Sequence, residues 1–172
     1  MGASASSNPL FENTYGRAVA IEISNYSLKY DLCNPSYFTT SGYCCNPPPP
    51  TINREDGKGV CVFTKTDGIP CGCVGVLTYQ AGDCSFAIMF SNPFSHVIFG
   101  ICYGLEIFNR HRKADESLFK EMCHSTAYSE KRNEVGYSSN HLEFSYCGIQ
   151  VKATMSYSYK CIMKVEIRDV SE

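Results

Sequence analysis

Apolar side chains alternate with polar ones along much of this chain, and this period of two constrains the fold more than any other feature. Val19, Ile21 and Ile23 alternate in this way, as expected of a strand with one buried face. The same pattern predicts further strands at residues 28–32, 60–64, 74–79, 86–90, 104–108, 142–146, 149–155 and 161–167. Many short strands separated by Gly, Pro and Asn favour a mainly β fold, either a sandwich or a barrel.

One segment has the features of a helix. Asp115 is suited to cap the N-terminus, because its carboxylate can accept a bond from a first-turn amide. Leu118, Phe119 and Met122 would then share one face of a helix that ends near Cys123. We expect this short helix to flank the strands.

Four consecutive prolines, Pro47 to Pro50, follow Asn46. Such a run adopts an extended polyproline conformation, which predicts a stiff connection between two strands. The alternative is a ligand for a domain that reads polyproline.

The length of 172 residues suits one domain. Residues 1–16 are predicted to be a flexible N-terminal segment, and residues 17–172 the folded domain. A formal net charge of −2 offers no broad basic surface, so we expect no nucleic-acid partner. The first residues lack the apolar core of a secretory signal, which predicts a chain that is either cytoplasmic or already processed.

The eleven cysteines are an odd number without an export signal, which predicts that most or all of them are thiols. Cys44–Cys45 and the Cys71/Cys73 pair do not have the spacing of a structural zinc site. No nucleophile elbow, phosphate loop or paired-histidine motif occurs, and the four histidines are widely separated. We therefore predict a protein that is not an enzyme and uses no cofactor or metal.

The middle of the chain combines apolar and basic side chains. An apolar run ends at Tyr103 and is followed, after a predicted strand, by Arg110, Arg112 and Lys113. Rings at headgroup level beside cations that face phosphates would suit a membrane surface. The candidate interface residues are Ile98, Ile101, Tyr103, Arg110, Arg112 and Lys113. The alternative is that the apolar members are core and the basic members are only solvated.

Several ordered motifs support a family resemblance. They are Cys-Val-Gly-Val-Leu-Thr-Tyr at 73–79, Ala-Ile-Met-Phe-Ser-Asn-Pro-Phe at 87–94, Lys-Ala-Asp at 113–115, Lys-Ala-Thr-Met at 152–155 and Ile-Met-Lys-Val-Glu-Ile at 162–167. Between about residues 17 and 170 the chain resembles the actinoporin family, particularly the actinoporin-like proteins of bony fishes. The resemblance implies a single antiparallel β-sandwich with one or two short flanking helices.

The resemblance also implies a function. Sea-anemone members bind the phosphocholine headgroup of sphingomyelin, insert an N-terminal amphipathic helix and oligomerise into a pore. The positions that match the family's headgroup site are Ser41 (or Thr40), Val74, Ser91, Pro93, Phe99, Phe119 and His124. Phe99 and Phe119 replace tyrosines, so their faces could still attract an ammonium group, but they have no hydroxyl for the phosphate.

The N-terminal segment departs from the anemone pattern. Its polar run and Pro9 do not predict a long amphipathic helix, so pore formation is doubtful while headgroup binding is expected. Gly2 with Ser6 fits the pattern for N-myristoylation, and an unmodified tail is the alternative. We expect a cytoplasmic or peripheral membrane protein, or a secreted one if it acts as a cytolysin. The alternative function is a non-lytic, lectin-like or intracellular interaction module.

Overall fold

The computed structural model describes residues 8–124, 132–135 and 141–171. These residues form two six-stranded sheets packed face to face, with one α-helix on the outer face of the second sheet. The strands are β1 (Ala18–Asn25), β2 (Leu32–Ser41), β3 (Tyr43–Asn46), β4 (Thr51–Ile52), β5 (Gly57–Thr64), β6 (Cys73–Ala81), β7 (Cys84–Asn92), β8 (Ile101–Phe108), β9 (Arg132–Val135), β10 (Leu142–Tyr146), β11 (Ile149–Met155) and β12 (Lys160–Asp169). The helix is α1 (Glu116–His124). The predicted β-sandwich is confirmed.

Each sheet combines strands from distant parts of the chain. The first has the order β10-β11-β12-β1-β5-β3 and the second β4-β2-β6-β7-β8-β9. Neighbouring strands are antiparallel except β1 and β12, which pair in parallel from Ala18 opposite Lys160 onwards. This pair differs from the purely antiparallel sandwich that we predicted. The two strands of this pair are the first and the last of the sandwich, and they lie side by side in the first sheet.

Alternation places the core between the sheets. Val19, Ile21 and Ile23 face inward from β1 and are at most 2% exposed. They belong to one apolar cluster with Phe63 and Phe90, whose ring centroids are 4.6 Å apart. Burying side chains of this size contributes about 1.5–3 kcal/mol each, so this layer is the main source of stability.

The helix covers part of the outer face of the second sheet. The Leu118 amide donates to Asp115 Oδ1 at 2.7 Å, which is the predicted N-cap. Leu118 and Met122 are buried against Val76 and Met89. The predicted helix is therefore confirmed.

Residues 28–32 do not form the predicted strand. Leu28 is 69% exposed and lies in a turn, where its amide donates to Asp169 Oδ2 at 2.7 Å. The strand begins at Leu32 instead and continues to Ser41. We did not predict this strand, because Asn34 and Pro35 interrupt its pattern at an irregularity in its pairing with β6.

The proline run joins β3 to β4, as predicted for a connection between strands. Pro48 is buried, and the Pro49 carbonyl accepts a bond of 2.7 Å from the Tyr79 hydroxyl. This partly buried hydrogen bond fixes the connection against the second sheet.

All eleven cysteines lie within the described residues, and one pair of them is bonded. Cys84 and Cys147 form a disulfide that joins β7 to the β10–β11 turn, and the other nine stay as thiols. The stronger form of our prediction, that every cysteine is a thiol, is wrong. The two residues are 63 positions apart, and only the packing of one sheet on the other brings them together.

Candidate functional site

The loop from Pro93 to Gly100 connects β7 to β8 and carries unusually exposed apolar side chains. Val97, Ile98 and Phe99 are 97%, 73% and 64% exposed, and we call these three residues the apolar tip. Tyr157 and Tyr159, in the loop between β11 and β12, are more than half exposed as well. We call the end of the sandwich that carries both loops the apolar end.

A buried asparagine joins the two sheets at this end. Asn92 is fully buried, and its Nδ2 donates to the Ala18 carbonyl at 3.0 Å and to the Tyr159 carbonyl at 2.7 Å. Because both of its N–H groups are used, Asn92 Oδ1 must be the acceptor in its 2.8 Å contact with His96 Nε2. His96 Nε2 is therefore the donor in this contact, and the base of the loop is held in place.

The surroundings of His96 lower its pKa. Burial lowers the pKa of His96, and the nearby charge of Arg17 lowers it further, while a hydrogen bond to the Pro93 backbone partly opposes both effects. His96 also stacks on Tyr159, with ring centroids 5.0 Å apart and planes 24° apart. The apolar tip thus projects from a well-ordered base.

Arg17 supplies a positive charge at the apolar end. Its Nε and Nη2 donate to the Phe94 carbonyl at 3.1 and 2.6 Å. Its guanidinium carbon lies 4.2 Å from the ring centroid of Tyr159 and 5.2 Å from that of Phe94. These contacts bind the start of β1 to both loops.

Three predicted headgroup residues are neighbours on the second sheet. Ser41 pairs with Val74, and Val74 pairs with Ser91, so the three lie in one row across β2, β6 and β7 on the face that α1 covers farther along. Gly75 allows this arrangement, because a Cβ atom there would collide with the Phe38 carbonyl of β2. Pro93 is buried two residues after Ser91.

The C-terminal end of α1 is the end nearer to this row. The Ala114 amide donates to Ser36 Oγ at 2.7 Å, and Phe119 packs on Phe38 with ring centroids 6.4 Å apart. Since β2 runs from Ser36 through Phe38 to Ser41, the C-terminal end of α1, with exposed His124, lies toward the row. Phe119 is half-buried in the helix–sheet cluster, whereas Phe99 is exposed in the apolar tip.

Two predicted interface residues belong to the core. Ile101 and Tyr103 are fully buried, and the Tyr103 hydroxyl donates to the Ala153 carbonyl at 3.1 Å. Their assignment to a membrane interface is wrong, because β8 begins at Ile101 and its odd-numbered residues face inward. Ile98 precedes the strand and is exposed as predicted.

The predicted basic partner of the apolar loop lies at the other end of the sandwich. Strand β8 separates Ile98 from Arg110 and Lys113, and its eight residues span about 23 Å. Arg112 is 3.6 Å from carboxylate oxygens of both Asp115 and Glu121, so it serves the helix. The prediction that Arg110, Arg112 and Lys113 share one interface with Ile98 is therefore wrong.

Other residues form the apolar end instead. The sequence analysis did not identify Arg17, Tyr157 or Tyr159, and it considered His96 only as one of four widely separated histidines. The sequence signal for this surface was the position of Tyr157 and Tyr159 between two segments of alternating pattern. Gly2, the lipidation candidate, lies outside the described residues. Within the described residues no group of three or more His, Cys, Asp and Glu side chains could hold a metal ion.

Comparison with known proteins identifies the family. Residues 13–169 match the family model described as sea anemone cytotoxic protein. DELTA-actitoxin-Afr1c of Actinia fragacea is 25% identical over 100 residues, which cover 58% of this chain and 53% of that protein. DELTA-stichotoxin-Hcr4a of Radianthus crispa is 25% identical over 97 residues, which cover 56% and 52%. The chain thus spans about half the length of these relatives.

Solved structures share the fold. The lipid binding protein Nakanori superposes with a TM-score of 0.64 at 12% identity, over 89% of this chain and 71% of its own. A mutated Xerocomus chrysenteron lectin gives a TM-score of 0.50 at 7% identity, over 91% and 100%. No α-helix among the described residues has the length and apolar character needed to cross a bilayer. With a family match over most of its length, the chain belongs to the sea anemone cytotoxic proteins, the actinoporins.

Proposed function

We propose that this protein binds the phosphocholine-type headgroups of membrane lipids at the apolar end, with the apolar tip entering the interface. The observation that carries the proposal is the exposure of Val97, Ile98 and Phe99, three consecutive large apolar side chains on a loop with an anchored base. Exposed apolar side chains that are contiguous and rimmed by polar groups mark interaction surfaces. Family membership supports a membrane as the partner.

The energetics favour a shallow attachment. Each side chain of the apolar tip contributes about 1.5–3 kcal/mol when it is fully transferred from water to an apolar phase. Tyr157 and Tyr159 suit the headgroup level, because a tyrosine combines an apolar ring with a hydroxyl that stays in water. Arg17 lies beside them and can attract lipid phosphate.

The row of Ser41, Val74 and Ser91 is the proposed headgroup site. The Ser91 hydroxyl would donate to the phosphate, and Val74 with Pro93 would form an apolar wall. The rings of Phe99 and Phe119 would face the choline ammonium through their negative faces. The C-terminal end of α1 and exposed His124 lie toward the row, and the negative end of a helix dipole favours a cation.

Comparing vesicles that differ in headgroup tests this proposal. Wild-type protein should sediment with vesicles of phosphatidylcholine and sphingomyelin, and should bind vesicles of phosphatidylethanolamine less well. Ser91→Ala should weaken binding to the choline vesicles about 10-fold, because a hydrogen bond to a charged acceptor contributes about 1.5–3 kcal/mol. Ser145→Ala, at an exposed position of β10, is the matched control and should change nothing.

Two results would overturn the proposal. One is a folded wild-type protein that binds none of these vesicles. The other is unchanged binding by a folded variant that combines Ser91→Ala with Phe99→Ala. Cytolysis is named for a relative of this chain, the cytolysin tenebrosin-B of Actinia tenebrosa, and dye release from the same vesicles would show whether pore formation and oligomers follow binding here.

A further inference from the structure

A cleft of about 320 Å³ opens at the apolar end between the Pro93–Gly100 loop and the β11–β12 loop. Its lining residues are His96, Val97, Tyr157, Ser158 and Tyr159. Of the two loops that line it, the β11–β12 loop joins strands of the first sheet, and none of Ser41, Val74 and Ser91, which lie in a row on the outer face of the second sheet, is among its lining residues. The cleft is therefore distinct from the proposed headgroup site. Its volume suits one small ring.

The walls of the cleft are aromatic and held in place. The His96 ring centroid is 5.0 Å from that of Tyr159 and 5.9 Å from that of Tyr157. Asn92 fixes both sides, since it contacts His96 Nε2 and donates to the Tyr159 carbonyl. Because the Tyr159 ring already contacts the Arg17 guanidinium and stacks on His96, Tyr157, which is 54% exposed, is the tyrosine that offers its ring surface to a ligand.

Charge limits what this cleft can bind. The guanidinium of Arg17 lies on the Tyr159 ring and places a positive charge beside the cleft. No carboxylate lines the cleft among the residues that the structure describes. A quaternary ammonium would meet repulsion from Arg17, whereas an anionic or neutral ligand would not.

From this arrangement we propose that the cleft binds a sugar residue that carries a carboxylate or a sulfate group. The apolar C–H face of the sugar ring packs on tyrosine, because its weakly positive hydrogens meet the negative face of the aromatic ring. The Ser158 hydroxyl offers both a donor and acceptors to sugar hydroxyls. The positive potential of Arg17 draws the acidic group.

The source of this sugar is the headgroup of an acidic glycolipid. The cleft opens beside the apolar tip, so a protein seated on a membrane by that tip would present the cleft at headgroup level. The assignment to a glycolipid rests on the proposed function, but recognition of the sugar itself does not require a membrane.

Titration with soluble sugars tests the cleft. Sialyllactose should bind the wild-type protein at least about 10-fold more tightly than lactose, as measured by ligand-observed NMR or calorimetry. Tyr157→Ala should weaken sialyllactose binding by about 10-fold or more, while Tyr146→Ala, at an exposed position beside the β10–β11 turn at the far end, should leave it unchanged. Equal affinity for both sugars, no binding, or full retention by Tyr157→Ala would overturn the proposal, as would displacement of sialyllactose by phosphocholine.

Vesicles separate this proposal from the proposed function. Adding a sialylated ganglioside to phosphatidylcholine vesicles should increase wild-type binding, and the increase should disappear in Tyr157→Ala. If the protein binds plain phosphatidylcholine vesicles but not sialyllactose, the cleft proposal fails and the proposed function stands. If sialyllactose binds and the ganglioside adds nothing, the glycolipid source is wrong.

Discussion

Replacing Ile98 and Phe99 together by serine should nearly abolish membrane attachment and leave the fold intact. The two side chains are 73% and 64% exposed, so the folded protein gains little from them, and we expect its stability to change by less than about 0.5 kcal/mol. Full burial contributes about 1.5–3 kcal/mol for each side chain. Since roughly two thirds of each remains available to lipid, the pair should contribute about 3 kcal/mol to membrane binding, or about 100-fold in the partition coefficient.

Flotation with phosphatidylcholine–sphingomyelin vesicles would measure this change over a range of lipid concentrations. Leu28→Ser is the matched control, because Leu28 is 69% exposed but lies in the turn after β1, at the opposite end of the sandwich. Thermal melting of each variant would confirm the fold. The reasoning is refuted if the double variant partitions as the wild type does, or if Leu28→Ser loses as much binding.

Three further predictions concern the framework of the apolar end and of the sandwich. Asn92→Asp should lower the free energy of unfolding by at least about 3 kcal/mol, because it removes both donors to buried carbonyls and buries a charge facing them; a melting temperature equal to that of the wild type would contradict this. Thiol titration of the denatured, unreduced protein should find nine thiols, and replacing Cys84 and Cys147 by serine should cost about 2–4 kcal/mol in denaturant melts; eleven thiols in protein that was never reduced would show that the bond does not form. The pKa of His96 is lowered in the folded state, so the unfolded chain binds more protons as pH falls. The free energy of unfolding should therefore decrease between about pH 7 and pH 5 because of His96. His96→Gln should flatten that part of the stability profile, and an unchanged slope would refute the lowered pKa.

Local patterns determined the elements that could be predicted. Alternation in β1, β5, β6, β7, β8, β11 and β12 identified strands, because a strand with one buried face must carry apolar side chains at every second position. The N-cap at Asp115 and the apolar face around Leu118 and Met122 identified the helix. The family motifs placed Ser41, Val74 and Ser91 in one predicted site, and the strand register makes them neighbours.

The tertiary structure alone decided which loops meet. Ile98 and Arg110 are close in sequence, but an extended strand carries them to opposite ends of the sandwich. Arg17 and Phe94 are 77 residues apart and Cys84 and Cys147 are 63 apart, yet each pair is in contact. Such contacts depend on how two sheets pack and on which strands lie side by side. The pattern of residues within one strand specifies neither. The sequence therefore determined where the strands and the helix form, while the packing of the sheets decided that the apolar tip, Arg17 and the two tyrosines share one surface.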